Sequence, residues 1–311
     1  MIPAKPLPRF AGLSLGGRLA RREAIECYLF ILPWFLGFLF LKLGPILASL
    51  YLSFTQYNVM SPPSWIGVGN FQSLARDPLF WQSLRVTVLF VIMFLPIRLA
   101  MSLVLALLLN QKVRGIVFFR TVFYVPSIIS GVAVSLLWLW IFNPDYGIIN
   151  ALLSYVGITG PGWLFDETWA LPSIVIMSLW GFGDTMLIYL AGLQGVPSDL
   201  YEAAAMDGAN FWAKFWSITL PMLSPVIFFN LVMGIIQSFQ VFTPAYVMTK
   251  GGPNNATLFY NLYLYNNAFV FIKMGLGSAM AWILMLIVLV LTIFVFKSSP
   301  LWVHYQAGRG K

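Results

Sequence analysis

The sequence predicts an all-α membrane protein, a polytopic bundle of about six transmembrane helices. Three observations carry this. Of 311 residues, 60% are hydrophobic and only 9% are charged, where a soluble domain carries roughly a quarter. Apolar runs of about 20 residues, long enough to cross a bilayer as a helix, recur along the chain. Lys and Arg cluster in alternate connecting segments, as cytoplasmic loops do.

The runs are Tyr28–Ser49, Leu84–Leu109, Val122–Phe142, Trp169–Leu193, Met222–Met248 and Gly275–Phe296. The tail before the first holds Lys5, Arg9, Arg18, Arg21 and Arg22. The loop between the second and third holds Lys112, Arg114 and Arg120, that between the fourth and fifth holds Lys214, and the final tail holds Lys297, Arg309 and Lys311. These segments share one side if the spans alternate, and they carry most of the 18 basic residues. Both termini are therefore expected in the cytoplasm. The first run continues to about Leu50 without a small-residue cleavage site, so an uncleaved helix is expected rather than a signal peptide. Lys42 can snorkel to the interface from its outer half. Pro33, Pro45, Pro96, Pro126, Pro172, Pro225 and Pro244 lie in or near spans, where neighbouring helices and water satisfy the freed carbonyls.

The expected organisation is a tail (1–27), a membrane domain (28–297) and a second tail (298–311). No stretch outside the spans is long enough for a soluble core. The net charge of +8 reads as a topology signal, with no nucleic-acid partner implied. Cys27 is the single cysteine, which excludes an internal disulfide and a multi-cysteine metal site. His304, the only histidine, lies in the tail, where a solvated side chain is expected, and no metal or catalytic cluster accompanies it.

One segment breaks the apolar pattern. Glu202–Pro225 reads EAAAMDGANFWAKFWSITLPMLSP, a polar, helix-rich island between the fourth and fifth spans. Asp199 can cap a helix there, with Glu202 three residues later closing a capping box. Asp207-Gly208 ends that helix, glycine suiting the left-handed C′ position. Asn210 can cap a second helix, Phe211 to Leu220, ending before Pro221. Ala203, Ala204 and Ala205 present almost no side chain, so another protein can approach the backbone closely. Phe211, Trp212, Phe215 and Trp216 can anchor the second helix at the bilayer surface.

Glu202-Ala203-Ala204, Asp207-Gly208-Ala209, Phe215, Ile218, Leu220-Pro221 and Pro225 resemble the EAA loop of binding-protein-dependent ABC importer permeases. Leu190–Gln194, Thr249–Pro253, Pro45–Phe54 and Met274–Ala279 are similar to the sugar-type permeases of that family, so the likeness covers nearly the whole chain. The resemblance implies a MetI-like core over about 80–297, with the coupling loop at 194–221. It implies a second permease subunit, two copies of an ATP-binding cassette ATPase, an extracytoplasmic solute-binding protein and a lipid bilayer as partners. It implies a multi-pass protein of a prokaryotic inner membrane. It assigns ATPase coupling to Glu202, Ala203, Ala204, Asp207 and Gly208. ATP-driven closure of the ATPase would then switch the permease from inward-facing to outward-facing. No phosphate-binding G-x-x-x-x-G-K-[S/T] loop is present. The chain is therefore expected to bind no cofactor and to be no enzyme by itself, with ATP hydrolysed by its partner.

Charges inside spans cost roughly 2.5–3.5 kcal/mol on insertion scales and mark a cavity or a partner. Asp184 and Arg98 are two such charges. They could pair structurally or face a solute, and one arrangement could serve both. Gln237 and Gln240 are expected on one helical face of the fifth span, and Trp180, Phe239 and Phe242 could offer flat faces to a sugar. The family's solute path flanks the EAA loop, which singles out Trp180, Gly181, Asp184, Gln237, Ser238 and Gln240. The expected function is the membrane subunit of an importer for a sugar or oligosaccharide. The alternatives are a polyol or glycerol phosphate importer and, more distantly, a secondary transporter. The outward loops 55–83, 143–168 and 250–274 are expected to meet the binding protein.

Overall fold

The computed structural model describes residues 17–111 and 113–304. The chain divides into two units, Met1–Tyr51 and Leu52–Lys311. In the first unit, α1 (Arg18–Phe38) runs through a five-residue π turn, Leu39–Leu43, into α2 (Gly44–Ser53). Arg21–Ser53 is long and apolar enough to span a membrane, and its most apolar window is entirely unburied by the protein. The π turn has a local cause. Pro45 would press its ring on the Leu41 carbonyl; the wider turn, with the Gly44 N–H reaching the Leu39 oxygen, relieves it.

The second unit opens with a short hairpin, β1 (Thr55–Gln56) antiparallel to β2 (Ser64–Trp65), Thr55 facing Trp65. Asn70 at the start of α3 (Gly69–Arg76) ties the hairpin down, donating to the Ser53 and Thr55 carbonyls at 2.8 Å each. Asp77 then caps α4 (Pro78–Leu109), accepting from the Leu79 N–H at 2.9 Å. The other Asp77 oxygen accepts from the Tyr263 hydroxyl. Burial, and then that carboxylate, push the Tyr263 phenol up to about 12.

Helix α4 is the central post. Val86, Phe90, Phe94, Arg98, Ser102 and Ala106 are all buried, and their spacing of four puts neighbours one above the other along a ridge that winds slowly around the helix. Against it pack α8 (Ala170–Leu179), α9 (Gly183–Gln194), α12 (Leu220–Phe239) and α13 (Tyr260–Tyr265). Tyr260 ties the outer end together: its N–H donates to Thr87 Oγ1 at 2.9 Å and its hydroxyl to the Met280 carbonyl at 2.8 Å, on α14 (Met274–Ser298).

Three expected spans are interrupted. Val122–Phe142 is not one helix: α5 (Ile116–Ile128) and α6 (Gly131–Ile141) meet at 97° across an extended Ile129. The apolar run is continuous there, and only Pro126 and the Ser130-Gly131 pair mark the break. The fourth span bends by 44° between α8 and α9, at Trp180–Phe182. The fifth ends at Phe239, not Met248; the chain is non-helical at Val241 and Phe242, and helix resumes at Thr243 and Pro244 and continues as a π turn, Ala245–Thr249. Among the described residues, four helices are thus long and apolar enough to cross a membrane, or up to six if each bent pair counts as one span. A short α7 (Ile148–Tyr155) lies in the loop between the third and fourth.

The end of the described chain is packed. Trp302 meets the Phe228 ring, Val303 is buried, and the His304 N–H donates to Ser224 Oγ at 2.8 Å. The solvated tail expected at His304 holds only for its exposed side chain.

Candidate functional site

Two clusters stand at opposite ends of α12. The first is polar. Arg98 on α4 reaches Asp184 at the start of α9, with Nη2 at 2.8 and 3.1 Å from the two carboxylate oxygens. Its Nη1 donates to Gln237 Oε1 on α12 at 3.2 Å. One guanidinium therefore clamps three helices, a task its planar fork of donors suits. The Arg98 side chain is only 9% exposed, while that of Asp184 is 47% exposed. Desolvation thus falls mostly on the cation, and the carboxylate stays open to small molecules.

Asp184 lines two cavities. One, of about 110 Å³, also takes in Arg98, Thr185, Asn230, Gly234 and Gln237. Buried Arg98 Nε has no hydrogen-bond partner among the described residues. The other, of about 200 Å³, is lined by Asp184, Ser127, Gly131, Trp180, Gly181 and Pro244. The second cavity therefore sits where the third and fourth spans break and beside Pro244 beyond the end of α12. Gly183 allows this convergence. A Cβ there would stand 2.6 Å from the Phe123 carbonyl oxygen and 2.8 Å from Tyr124 Cα, both backbone atoms of α5.

The structure brings together Arg98, Asp184 and Gln237, and it sets Trp180 and Gly181 beside Asp184. It separates the rest. Ser238 is buried and its hydroxyl has no protein partner. Gln240 lies past the end of α12 and lines a different cavity, with Ile236, Leu284 and Val288. The shared face expected for Gln237 and Gln240 is lost because the helix stops at Phe239. Phe239 is buried, and Phe242 stacks on Tyr246 instead.

The second cluster is the polar island. Helix α10 spans Ser198–Met206, so Pro197 stands at its N-cap and Asp199 already lies inside it. The capping box expected from Asp199 and Glu202 does not form, because the helix starts two residues earlier, with Pro197 at the N-cap. Glu202, Ala203, Asp207 and Gly208 are exposed, whereas Ala204 is half-buried. Gly208 adopts φ +75° with no heavy atom within 4 Å of a notional Cβ, the left-handed exit that favours glycine. Asn210 Oδ1 accepts from the Ala213 N–H at 2.9 Å, capping α11 (Phe211–Lys214) as expected. The second helix does not stop at Leu220. It passes through a π turn, Phe215–Thr219, straight into α12. The wider turn lets the chain run through Pro221, as it does before Pro45: the Leu220 N–H reaches the Phe215 oxygen and the Ser217 carbonyl is freed. Phe211, Trp212 and Trp216 are exposed on this segment.

Asn230 is among the polar residues that the sequence offers on the fifth span, though it was not singled out for the path. Sequence reasoning missed Tyr201, whose hydroxyl lies 2.9 Å from Thr219 Oγ1.

Residues 98–300 match the family described as "Binding-protein-dependent transport system inner membrane component". The chain belongs to this family. Among similar proteins is the "Probable ABC transporter permease protein YesP" of Bacillus subtilis, 47% identical over 93% of this chain and 95% of that protein. Another is the "Lactose transport system permease protein LacF" of Rhizobium radiobacter, 40% identical over 82% of this chain and 87% of that protein. The fold matches a crystal structure of a bacterial ABC transporter involved in the import of the acidic polysaccharide alginate. The TM-score is 0.82 at 24% identity, covering 91% of this chain and 99% of that one. The MetI-like permease fold expected from the EAA-type motif is therefore the fold this chain has. The permease is a membrane component of an ABC importer.

Proposed function

We propose that this permease forms one half of the translocation path of an ATP-driven importer for a sugar or oligosaccharide in a prokaryotic inner membrane. It pairs with a second permease subunit, two copies of an ATPase and an extracytoplasmic binding protein. The observation that carries this reading is the island itself. Glu202, Ala203, Asp207 and Gly208 form a bare, exposed helix end in a chain of this family, and no nucleotide-binding loop accompanies them. The lactose permease relative supports a carbohydrate solute.

Under this reading the ATPase docks on α10, with both termini on the same, cytoplasmic, side. ATP and any other cofactor belong to the partner. Asp184 accepts hydrogen bonds from solute hydroxyls, Trp180 offers an apolar face beside it, and Gln237 and Arg98 hold the carboxylate in place. Gly181 leaves room beside the bend. Ser238 and Gln240 flank the path without lining the same cavity.

Affinity purification in mild detergent tests the assembly. A second permease and an ATPase should co-purify; recovery of this chain alone, still transporting, would overturn the proposal.

A further inference from the structure

The covalent route from the coupling helix to α12 is soft at two places. Gly208 sits in the left-handed region with open space around it. The π turn Phe215–Thr219 follows eleven residues after α10 begins its exit at Ala204–Ala209, where the Ala209 N–H bonds the Ala204 oxygen. Hinges are a few residues that absorb large dihedral changes, and both places fit that description. A push on α10 would be dissipated there if the backbone were its only path.

A side-chain contact bridges both soft places. The Thr219 hydroxyl lies 3.4 Å from the Lys214 carbonyl, which leaves the Tyr201 phenol to donate to Thr219 Oγ1 at 2.9 Å. The two residues are 18 apart. Tyr201 and Ala204 are the half-buried positions of α10, three apart and therefore on its inner face. Glu202, Ala203, Ala205 and Met206 are exposed. Thr219 is buried and is the residue from which α12 starts. At the other end of α12, Gln237 bonds Arg98, which bonds Asp184.

We propose that the Tyr201–Thr219 hydrogen bond is the strut that carries the ATPase's push from α10 into α12, bypassing Gly208 and the π turn. This rests on the coupling-surface reading above. Tyr201 and Thr219 are positioning residues: neither touches solute or nucleotide. With the strut intact, movement of α10 tilts α12 and strains the Arg98 clamp at its far end. Without it, the ATPase still docks and hydrolyses ATP, and α12 fails to follow.

The test uses the whole importer, with both permeases, ATPase and binding protein, reconstituted in proteoliposomes. ATP hydrolysed per solute imported is measured for Tyr201→Phe, Thr219→Val, the double variant and Thr219→Ser. Each single variant should import about two- to tenfold less per ATP, the range a lost hydrogen bond gives. The double variant should be no worse than either single one, and Thr219→Ser should import as wild type. Normal coupling in both single variants overturns the strut. So does a double variant whose loss is the product of the two, or loss of ATPase from the purified complex. A separate arm tests the underlying reading: Ala203→Cys in a Cys27→Ser background should cross-link to the ATPase through a reagent that joins this thiol to lysine amines of the partner. If it does not, the coupling surface is wrong; if it does and Tyr201→Phe couples normally, only the strut is wrong.

Discussion

Arg98 Nη2 lies 2.8 Å from Asp184 Oδ1, joining a buried cation on α4 to a half-exposed carboxylate on α9. The unequal burial makes the two partners unequal in what their loss does.

Removing Asp184 strands a buried guanidinium, and removing one member of a buried pair costs up to several kcal/mol. Removing Arg98 leaves a carboxylate that water reaches. Asp184→Ala should therefore lower stability by about 3 kcal/mol and abolish uptake or change its specificity, with the complex still assembled. Arg98→Leu should cost less than half as much. Thermal unfolding of the purified complex, alongside an uptake assay, reads both. Equal losses in the two variants, or normal uptake in Asp184→Ala, would contradict the assignment.

Gly183 and Gly181 lie two residues apart and should respond differently to alanine. The new methyl at Gly183 meets α5 backbone atoms at 2.6 and 2.8 Å, and neither can move alone. At Gly181 the nearest atom is the Ser178 oxygen at 3.8 Å. Gly183→Ala should cost about 1–3 kcal/mol, as overpacking does, and Gly181→Ala close to nothing. Yield and thermal midpoint of the solubilised complex distinguish them.

Gly208 has no steric neighbour, so its requirement is purely conformational. Gly208→Val should cost roughly 1–2 kcal/mol for entering the left-handed region, and Gly208→Asn less. Transport per ATP should follow that order, with Val worst. Equal coupling in both would show that the exit angle of α10 does not matter.

Gln237 and Gln240 should also separate. Gln237→Ala removes a bond to Arg98 and should reduce uptake, whereas Gln240→Ala, facing the α14 cavity, should leave uptake within about twofold, as surface changes away from a site usually do. Concentration-dependent uptake curves for the two variants decide the point.

How much of this was legible in the sequence depended on the kind of force involved. Asp184 and Arg98 were visible because a charge in an apolar span is costly enough to need a reason. Gly208 and Asn210 were visible because turn and cap chemistry is local. The breaks at Ile129–Ser130 and beyond Phe239 were not, since apolar composition is the same in a straight span and a broken one. Pro221 was misread as a stop because a π turn, which depends on the wider ring of backbone bonds, leaves no residue-type signature. Tyr201 and Thr219 were silent for another reason: their contact joins residues brought together only by the turn between them.

The central claim is that an external ATPase drives this permease through residues 202–208. Solute uptake by proteoliposomes holding the full complex, with and without enclosed ATP, tests it most directly when repeated with Glu202 and Gly208 replaced. Uptake should require ATP, and both replacements should sever it from hydrolysis. Uptake without ATP, or unchanged transport and ATPase stimulation in both variants, would contradict the account.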